Sequence, residues 1–130
     1  MMKNINPTET NAWQKLTNHY STVKDLHLKS LFSTDKTRKE KFTINFNEFE
    51  FDFSKNRITE ETIEHLLELA NEVDLKSAMD AYFSGEKINK TEKRAVLHTA
   101  LRNQSANEIF VDGKNVMPEI KETLIKMESF

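Results

Sequence analysis

Cysteine is absent from the sequence of 130 residues, and glycine is nearly so. The absence of cysteine excludes disulfide bonds, thiolate metal sites and cysteine nucleophiles, and it is compatible with a reducing cytoplasm. The two glycines are Gly85 and Gly113. Loops that cradle phosphate groups use several glycines, because the backbone amides must approach the anion closely. We therefore expect no glycine-rich phosphate loop in this sequence.

A charge excess and a long apolar run are also missing. The 19 basic residues nearly balance the 21 acidic ones, whereas proteins that bind nucleic acids or anionic membranes carry a clear basic excess. No apolar run approaches the ~20 residues of a membrane-spanning helix, and the N-terminus lacks the apolar region of a secretory signal. We therefore expect no nucleic-acid partner and no membrane partner. We interpret the basic cluster from Lys36 to Lys41 as a solvated loop.

Helical periodicity dominates the sequence. Asn6-Pro7 predicts the start of a first helix, and Thr59 is the predicted N-cap of another. Apolar residues from Leu75 to Phe83 predict a helix that ends at Gly85. A further helix is predicted after Thr91, and a final one from Pro118. The last helix has no stop signal before Phe130, so we expect residues 1–130 to be a fragment of a longer protein.

Alternation of apolar and polar residues replaces the helical period between residues 42 and 53. Phe42, Ile44 and Phe46 precede Asn47-Glu48, and phenylalanines alternate again from residue 49. A two-residue loop at Asn47-Glu48 would pair 46 with 49, 44 with 51 and 42 with 53, which puts all six apolar side chains on one face. A slightly longer loop is the alternative, because Glu48 suits a primed turn poorly. A second β-rich run, 109–111, is closed by the turn pair Asp112-Gly113.

None of the four histidines lies four residues from another, which is the spacing that puts two ligands on one helix face. They are His19, His27, His65 and His98, and on this basis no metal site is predicted. His98 lies four residues before Arg102, and a cationic neighbour can lower the pKa of a histidine toward that of a catalytic base. The favoured interpretation of His98 is nevertheless structural.

The carboxylates and serines do not form a recognisable catalytic set either. Glu86, Lys87 and Glu92 crowd one loop, where they fit a charged surface as well as acid-base chemistry. Ser54-Lys55 and Ser84-Gly85 have no base at a recognisable spacing. From the residues alone we predict a mostly α-helical segment with a β-hairpin, and we assign no catalytic, cofactor-binding or metal-binding residue.

Several motifs nevertheless resemble one enzyme family. The longest runs from Phe83 to Asn103 and reads FSGEKINKTEKRAVLHTALRN. Phe53-Ser54-Lys55-Asn56 lies upstream of it, and 111–114 (VDGK) and 116–119 (VMPE) lie downstream. Together these elements resemble the glucose-6-phosphate isomerase family from about residue 53 to residue 130, while residues 1–52 are less similar.

The resemblance implies an aldose-ketose isomerase of glycolysis and gluconeogenesis. Such an enzyme interconverts glucose 6-phosphate and fructose 6-phosphate by proton transfer through a cis-enediol, without a cofactor. The resemblance further implies an α/β fold with two sugar-isomerase αβα sandwich domains, a sugar phosphate substrate, a homodimer and a cytoplasmic location. The resemblance also implies that residues 1–130 are the N-terminal segment of such an enzyme. None of the family's catalytic or phosphate-binding residues maps onto this sequence, so we expect this segment to precede the first complete sandwich domain and to be inactive alone.

Two other hypotheses remain open at this point. The chain could be a stand-alone, non-catalytic module for protein association derived from the isomerase N-terminus. It could also be a small enzyme that uses His98 and Glu92, which would predict isomerase activity from the 130 residues themselves.

Overall fold

The computed structural model describes residues 4–130, which form two compact units. The first unit is residues 5–73, and the second is residues 74–130 together with Asn4. Helices make up 53% of the structure. The prediction of a mostly helical segment with a β-hairpin is confirmed.

In the first unit, a short 3-10 turn at Pro7–Glu9 precedes the first helix. The Asn6 side chain caps this turn by accepting a hydrogen bond from the Thr8 N–H. The predicted cap at Asn6 and the proline at the first helical position are thus confirmed for this 3-10 helix, while the α-helix begins four residues later with Thr10 as its N-cap. The elements that follow are α1 Asn11–Val23, α2 Leu28–Thr34, α3 Arg38–Lys41, β1 Thr43–Phe46, β2 Phe49–Asp52 and α4 Glu60–Glu72.

Helices α1 and α4 pack against each other in antiparallel orientation. Thr59 starts α4 as predicted, in a reciprocal capping box with Thr62. At the other end of α4, the Glu72 carboxylate accepts the backbone N–H groups of Asn11 and Ala12, at 2.9 and 2.8 Å. Glu72 thus satisfies two free donors at the positive end of α1 and fastens the two helices together.

The hairpin β1–β2 has the predicted register. Phe46 pairs with Phe49 and Ile44 with Phe51, and the Phe53 N–H donates to the Phe42 carbonyl at 2.9 Å. The two-residue loop is accommodated by a positive φ of 52° at Asn47, a residue type that tolerates this conformation. Phe42 is buried, whereas four other apolar side chains of the hairpin are exposed, namely Ile44, Phe46, Phe49 and Phe51.

The interpretation of Lys36 to Lys41 as a solvated loop is wrong. Four of these residues form α3, and Arg38 is only 3% exposed. Its guanidinium donates to the carbonyl oxygens of Ser54, Asn56 and Ile58, at 2.9, 2.8 and 3.1 Å. It also lies 4.6 Å from the ring centroid of Phe42, within cation–π range. Arg38 is therefore the buried centre that holds the segment between the hairpin and α4.

The second unit contains three helices and a second hairpin within residues 74–130. Its core is built from Ala100, Ile109 and Met117, with Leu97, Val116 and Ile120 packed against them. Asp112 and Gly113 both take positive φ, 51° and 78°, as the loop of the hairpin. The predicted turn pair is thus confirmed. The elements are α5 Leu75–Ser84, α6 His98–Leu101, β3 Phe110–Val111, β4 Lys114–Asn115 and α7 Met117–Ser129.

Gly85 ends α5 as predicted, with φ of 86°. A Cβ atom at this position would lie 2.8 Å from the Phe110 carbonyl oxygen, so close backbone approach also requires glycine here. The helix predicted after Thr91 is wrong, because helix α6 begins only at His98. Asn89 and Arg94 instead exchange backbone hydrogen bonds of 3.1 and 3.2 Å, and the Asn89 side chain accepts the Glu92 N–H. These local bonds compete successfully with a helical turn.

Candidate functional site

The charged loop after α5 holds its charges in separate surface pairs. Lys87 Nζ lies 2.7 Å from Asp112 Oδ2, and Arg94 Nη2 lies 3.0 Å from Glu92 Oε2. Glu86 is exposed, and its backbone N–H donates to the Ala81 carbonyl. A pair of carboxylates with opposed acid-base roles requires a shared, water-shielded site. Exposed pairs of this kind do not provide one.

His98 is an exposed residue at the start of α6. Arg102 contacts it through the backbone, because Arg102 Nη1 donates to the His98 carbonyl oxygen at 3.2 Å. The contact that the structure gives between these residues is therefore to the His98 backbone, and not to the imidazole ring on which the sequence hypothesis depended. His98 and Arg102 line a groove of about 840 Å³ beside Tyr82 and Phe83. Glu92 is not among the residues that line this groove, so the two groups of the small-enzyme hypothesis are not brought together.

Ser54 and Ser84 both form hydrogen bonds with structural roles. Ser54 is 1% exposed, its carbonyl accepts from Arg38, and its N–H donates to Asp52 Oδ1 at 2.9 Å. Hydrogen bonds from the side chain and backbone of Ser54 lower the pKa of Asp52. The Ser84 hydroxyl donates to the Ala81 carbonyl within its own helix. Both residues thus have structural partners where a nucleophile would need a base.

A cluster of metal-binding residue types does form between α1 and α4. His19, Glu61 and His65 each offer a ligand atom, and these atoms lie within 4.8 Å of one another. His19 Nδ1 is 3.3 Å from Glu61 Oε2, and His65 Nε2 is 3.7 Å from Glu61 Oε1. The sequence prediction considered only pairs of histidines on one helix. A search for a carboxylate and a histidine four residues apart would have found Glu61 and His65, but the contribution of His19 depends on helix packing.

Glu68 supports this cluster from the next turn of α4. Its Oε2 lies 3.3 Å from His65 Nδ1 and 2.9 Å from Lys15 Nζ. The hydrogen bond from Lys15, together with the weaker one from His65, lowers the pKa of Glu68. Glu68 is therefore held as a carboxylate, which can accept a hydrogen bond from the outer nitrogen of the His65 ring.

The fold is that of a mostly helical segment with β-hairpins, and three of its motifs contain residues with a specific role in the backbone structure. Gly85 opens GEKIN, Asp112-Gly113 forms the turn in VDGK, and Ser54 lies in the run that binds Arg38. The family model for phosphoglucose isomerase matches residues 52–130, more than half of the chain. The chain belongs to the phosphoglucose isomerase family.

Within residues 4–130, no helix combines the length and the apolar composition needed to cross a bilayer.

Proposed function

We propose that this chain is the N-terminal part of a glucose-6-phosphate isomerase. The complete enzyme would interconvert glucose 6-phosphate and fructose 6-phosphate by cis-enediol proton transfer in glycolysis and gluconeogenesis. The single observation that carries the proposal is the family match over residues 52–130. The structural roles of Gly85 and Asp112-Gly113 add to it, because these motif residues occupy conformations that other residues adopt poorly.

We also propose that residues 1–130 do not catalyse the reaction by themselves. Proton transfer between adjacent carbons needs a base within hydrogen-bond reach of the substrate in a water-shielded site. Glu92 is engaged by Arg94 on the surface, and His98 lines a groove to which Glu92 does not contribute. The catalytic groups, the αβα sandwich domains, the homodimer and the cytoplasmic location would belong to the complete enzyme.

The role we assign to these residues is structural. The apolar face of the β1–β2 hairpin and the exposed Leu66 and Leu67 of α4 offer surface that a sandwich domain of the enzyme would cover. In that arrangement the helices and the hairpin would wrap around the first sandwich domain.

Activity of the isolated chain is the first test. The purified 130-residue chain is given fructose 6-phosphate, and glucose 6-phosphate is detected with a coupled dehydrogenase. We expect no turnover above a no-protein control. Turnover that is lost in a His98→Ala variant would overturn the proposal in favour of the small-enzyme hypothesis.

A chimera tests membership in the working enzyme. Residues 52–130 replace the matching segment of a characterised glucose-6-phosphate isomerase, and the chimera is assayed for soluble expression and activity. We expect activity to be retained, with His98→Ala as a tolerated change and Gly85→Val as a disruptive one. A folded but inactive chimera would count against the proposal and favour the association module, as would an intact mass of 15.2 kDa for the polypeptide in its source cells.

A further inference from the structure

We propose that His19, Glu61 and His65 form a binding site for a divalent transition-metal ion, with Zn²⁺ as the best chemical fit. This site lies in the first unit, between α1 and α4. It is separate from the family motifs at 85–89 and 111–119. The proposal therefore stands or falls independently of the isomerase activity.

The helix packing brings the three side chains together. Along the antiparallel pair, Glu72 binds the start of α1, Lys15 binds Glu68, and His19 meets Glu61 near the start of α4. Glu61 and His65 are four residues apart, so they project from one face of α4. His19 supplies the third ligand from the facing helix. A metal ion here would join α1 to α4 at the opposite end from the Glu72 cap.

The spacing of the ligand atoms suits a small tetrahedral ion. Zn²⁺ lies about 2.0–2.1 Å from imidazole nitrogen and carboxylate oxygen, so two such ligands at tetrahedral angles are about 3.3–3.4 Å apart. The Glu61 carboxylate lies 3.3 Å from His19 Nδ1 and 3.7 Å from His65 Nε2. All three ligand atoms lie within 4.8 Å of one another, and Glu61, which is 63% exposed, can rotate to bring its carboxylate to an ion held between the two rings.

The outer nitrogens of both rings have partners of the kind that metal-bound histidines use. His19 Nε2 lies 2.7 Å from Thr62 Oγ1, and His65 Nδ1 lies 3.3 Å from Glu68 Oε2. A ring whose outer nitrogen carries the hydrogen directs the lone pair of the other nitrogen toward Glu61. Both outer contacts orient their rings, and the Glu68 carboxylate, which can only accept, also selects the tautomer of His65 and raises the basicity of that ligand. Both histidines of the site are therefore positioned before any ion arrives.

The charge and the access of the site also fit a divalent cation. Glu61 and Glu68 contribute two negative charges around the histidines. Lys15 lines the same groove, but its ammonium is paired with Glu68 at 2.9 Å. Two imidazoles and one carboxylate are a ligand set of borderline softness, which favours Zn²⁺ over Mg²⁺ or Ca²⁺. The cluster opens into a groove of about 320 Å³ that includes Asn18 and Thr22, which leaves room for water as the fourth ligand.

Metal titration of chelator-stripped, untagged protein tests the proposal. Zn²⁺ binding is followed by calorimetry, and Co²⁺ binding by the visible absorption bands that distinguish tetrahedral from octahedral coordination. We expect one ion per chain with micromolar or tighter affinity, a tetrahedral Co²⁺ spectrum, and a rise in Tm of more than about 5 °C at saturating Zn²⁺. Millimolar binding, or a Zn²⁺-independent Tm, would overturn the proposal.

Variants distinguish this site from general binding by surface histidines. His65→Ala removes a ligand without opening the buried His19–Thr62 contact, and should weaken Zn²⁺ binding by more than about 100-fold. His27→Ala removes a histidine outside the cluster and should leave the affinity unchanged. Circular dichroism checks that each variant is folded. Equal affinities for the two variants would refute the assignment.

The outer contacts provide a second, independent comparison. Glu68→Gln removes the carboxylate that holds His65 and should weaken binding by about 10-fold. Glu64→Gln is its matched control, because it removes the same charge from an exposed residue of α4 that lies outside the cluster, so binding should be retained. A Glu68→Gln variant that binds Zn²⁺ as tightly as the parent protein would contradict the positioning of His65 by Glu68.

Discussion

Replacing Arg38 by alanine removes the cation that three backbone carbonyls share between the hairpin and α4. The guanidinium is 3% exposed and donates to Ser54, Asn56 and Ile58, while its plane lies near the Phe42 ring. Alanine has no donor that reaches any of these oxygens. The Ser54 carbonyl would be affected most, because Ser54 itself is buried.

The expected loss of stability is the difference between the interactions that the substitution removes and the cost of burying the charge, which it also removes. Hydrogen bonds that involve a charged group contribute about 1.5–3 kcal/mol each, and the cation–π contact adds up to about 2 kcal/mol. Removing the guanidinium also removes the cost of burying its charge, and water can reach the carbonyl of the exposed Asn56. We therefore expect Arg38→Ala to lower the free energy of unfolding by about 3 kcal/mol.

Urea unfolding followed by circular dichroism measures this change. With a slope of about 1–3 kcal/mol per molar urea, a loss of about 3 kcal/mol moves the midpoint down by about 1–3 M. Lys36→Ala in the same basic cluster is the matched control, and this exposed substitution should cost less than about 0.5 kcal/mol. Arg38→Lys should fall between them, because an ammonium cannot serve three separated oxygens in a fixed plane. If Arg38→Ala and Lys36→Ala unfold at the same midpoint, the buried role assigned to Arg38 is refuted.

Three further predictions use the same unfolding measurements. Glu72→Ala should cost about 1–2 kcal/mol, because it leaves the N–H groups of Asn11 and Ala12 without their carboxylate, and an unchanged midpoint would contradict the cap. Gly85→Ala should cost at least about 1 kcal/mol, because residue 85 has a left-handed backbone conformation and the new Cβ would meet the Phe110 carbonyl. Gly113→Ala is the comparison and should cost less, because its Cβ would meet nothing within 4 Å. Stability should also fall on acidification below about pH 5 and continue falling to about pH 3, because groups with a pKa lowered by folding stabilise the protein only while ionised. A urea midpoint that stays constant across this range would contradict the assignment to Asp35, Asp52, Glu68 and Glu119.

Several local features of this protein were predictable because neighbours in the sequence cause them. The register of the β1–β2 hairpin follows from a period of two on both sides of Asn47-Glu48. Thr59 caps α4 and Gly85 ends α5 because backbone groups at helix ends need nearby partners or a left-handed residue. The family was also recognisable from the sequence alone, because the motifs between residues 53 and 130 are contiguous stretches that need no tertiary structure to identify.

Features that depend on distant contacts were decided only by the tertiary structure. A cluster of cationic residues is usually solvated, and only the carbonyls of Ser54, Asn56 and Ile58 make burial of Arg38 favourable. The helix expected after Thr91 fails for a local reason instead, because Asn89 forms hydrogen bonds with Glu92 and Arg94 within its own loop.

The arrangement of His19 beside Glu61 and His65 likewise has no signature within one helix. It exists because α4 packs antiparallel to α1 and brings residues more than forty positions apart to the same end of the pair. The sequence by itself determined the family, the hairpin register and the helix ends at Thr59 and Gly85, which rest on short-range periodicity and backbone chemistry. The tertiary structure determined which charges are buried and which histidines meet, because both depend on how the helices pack.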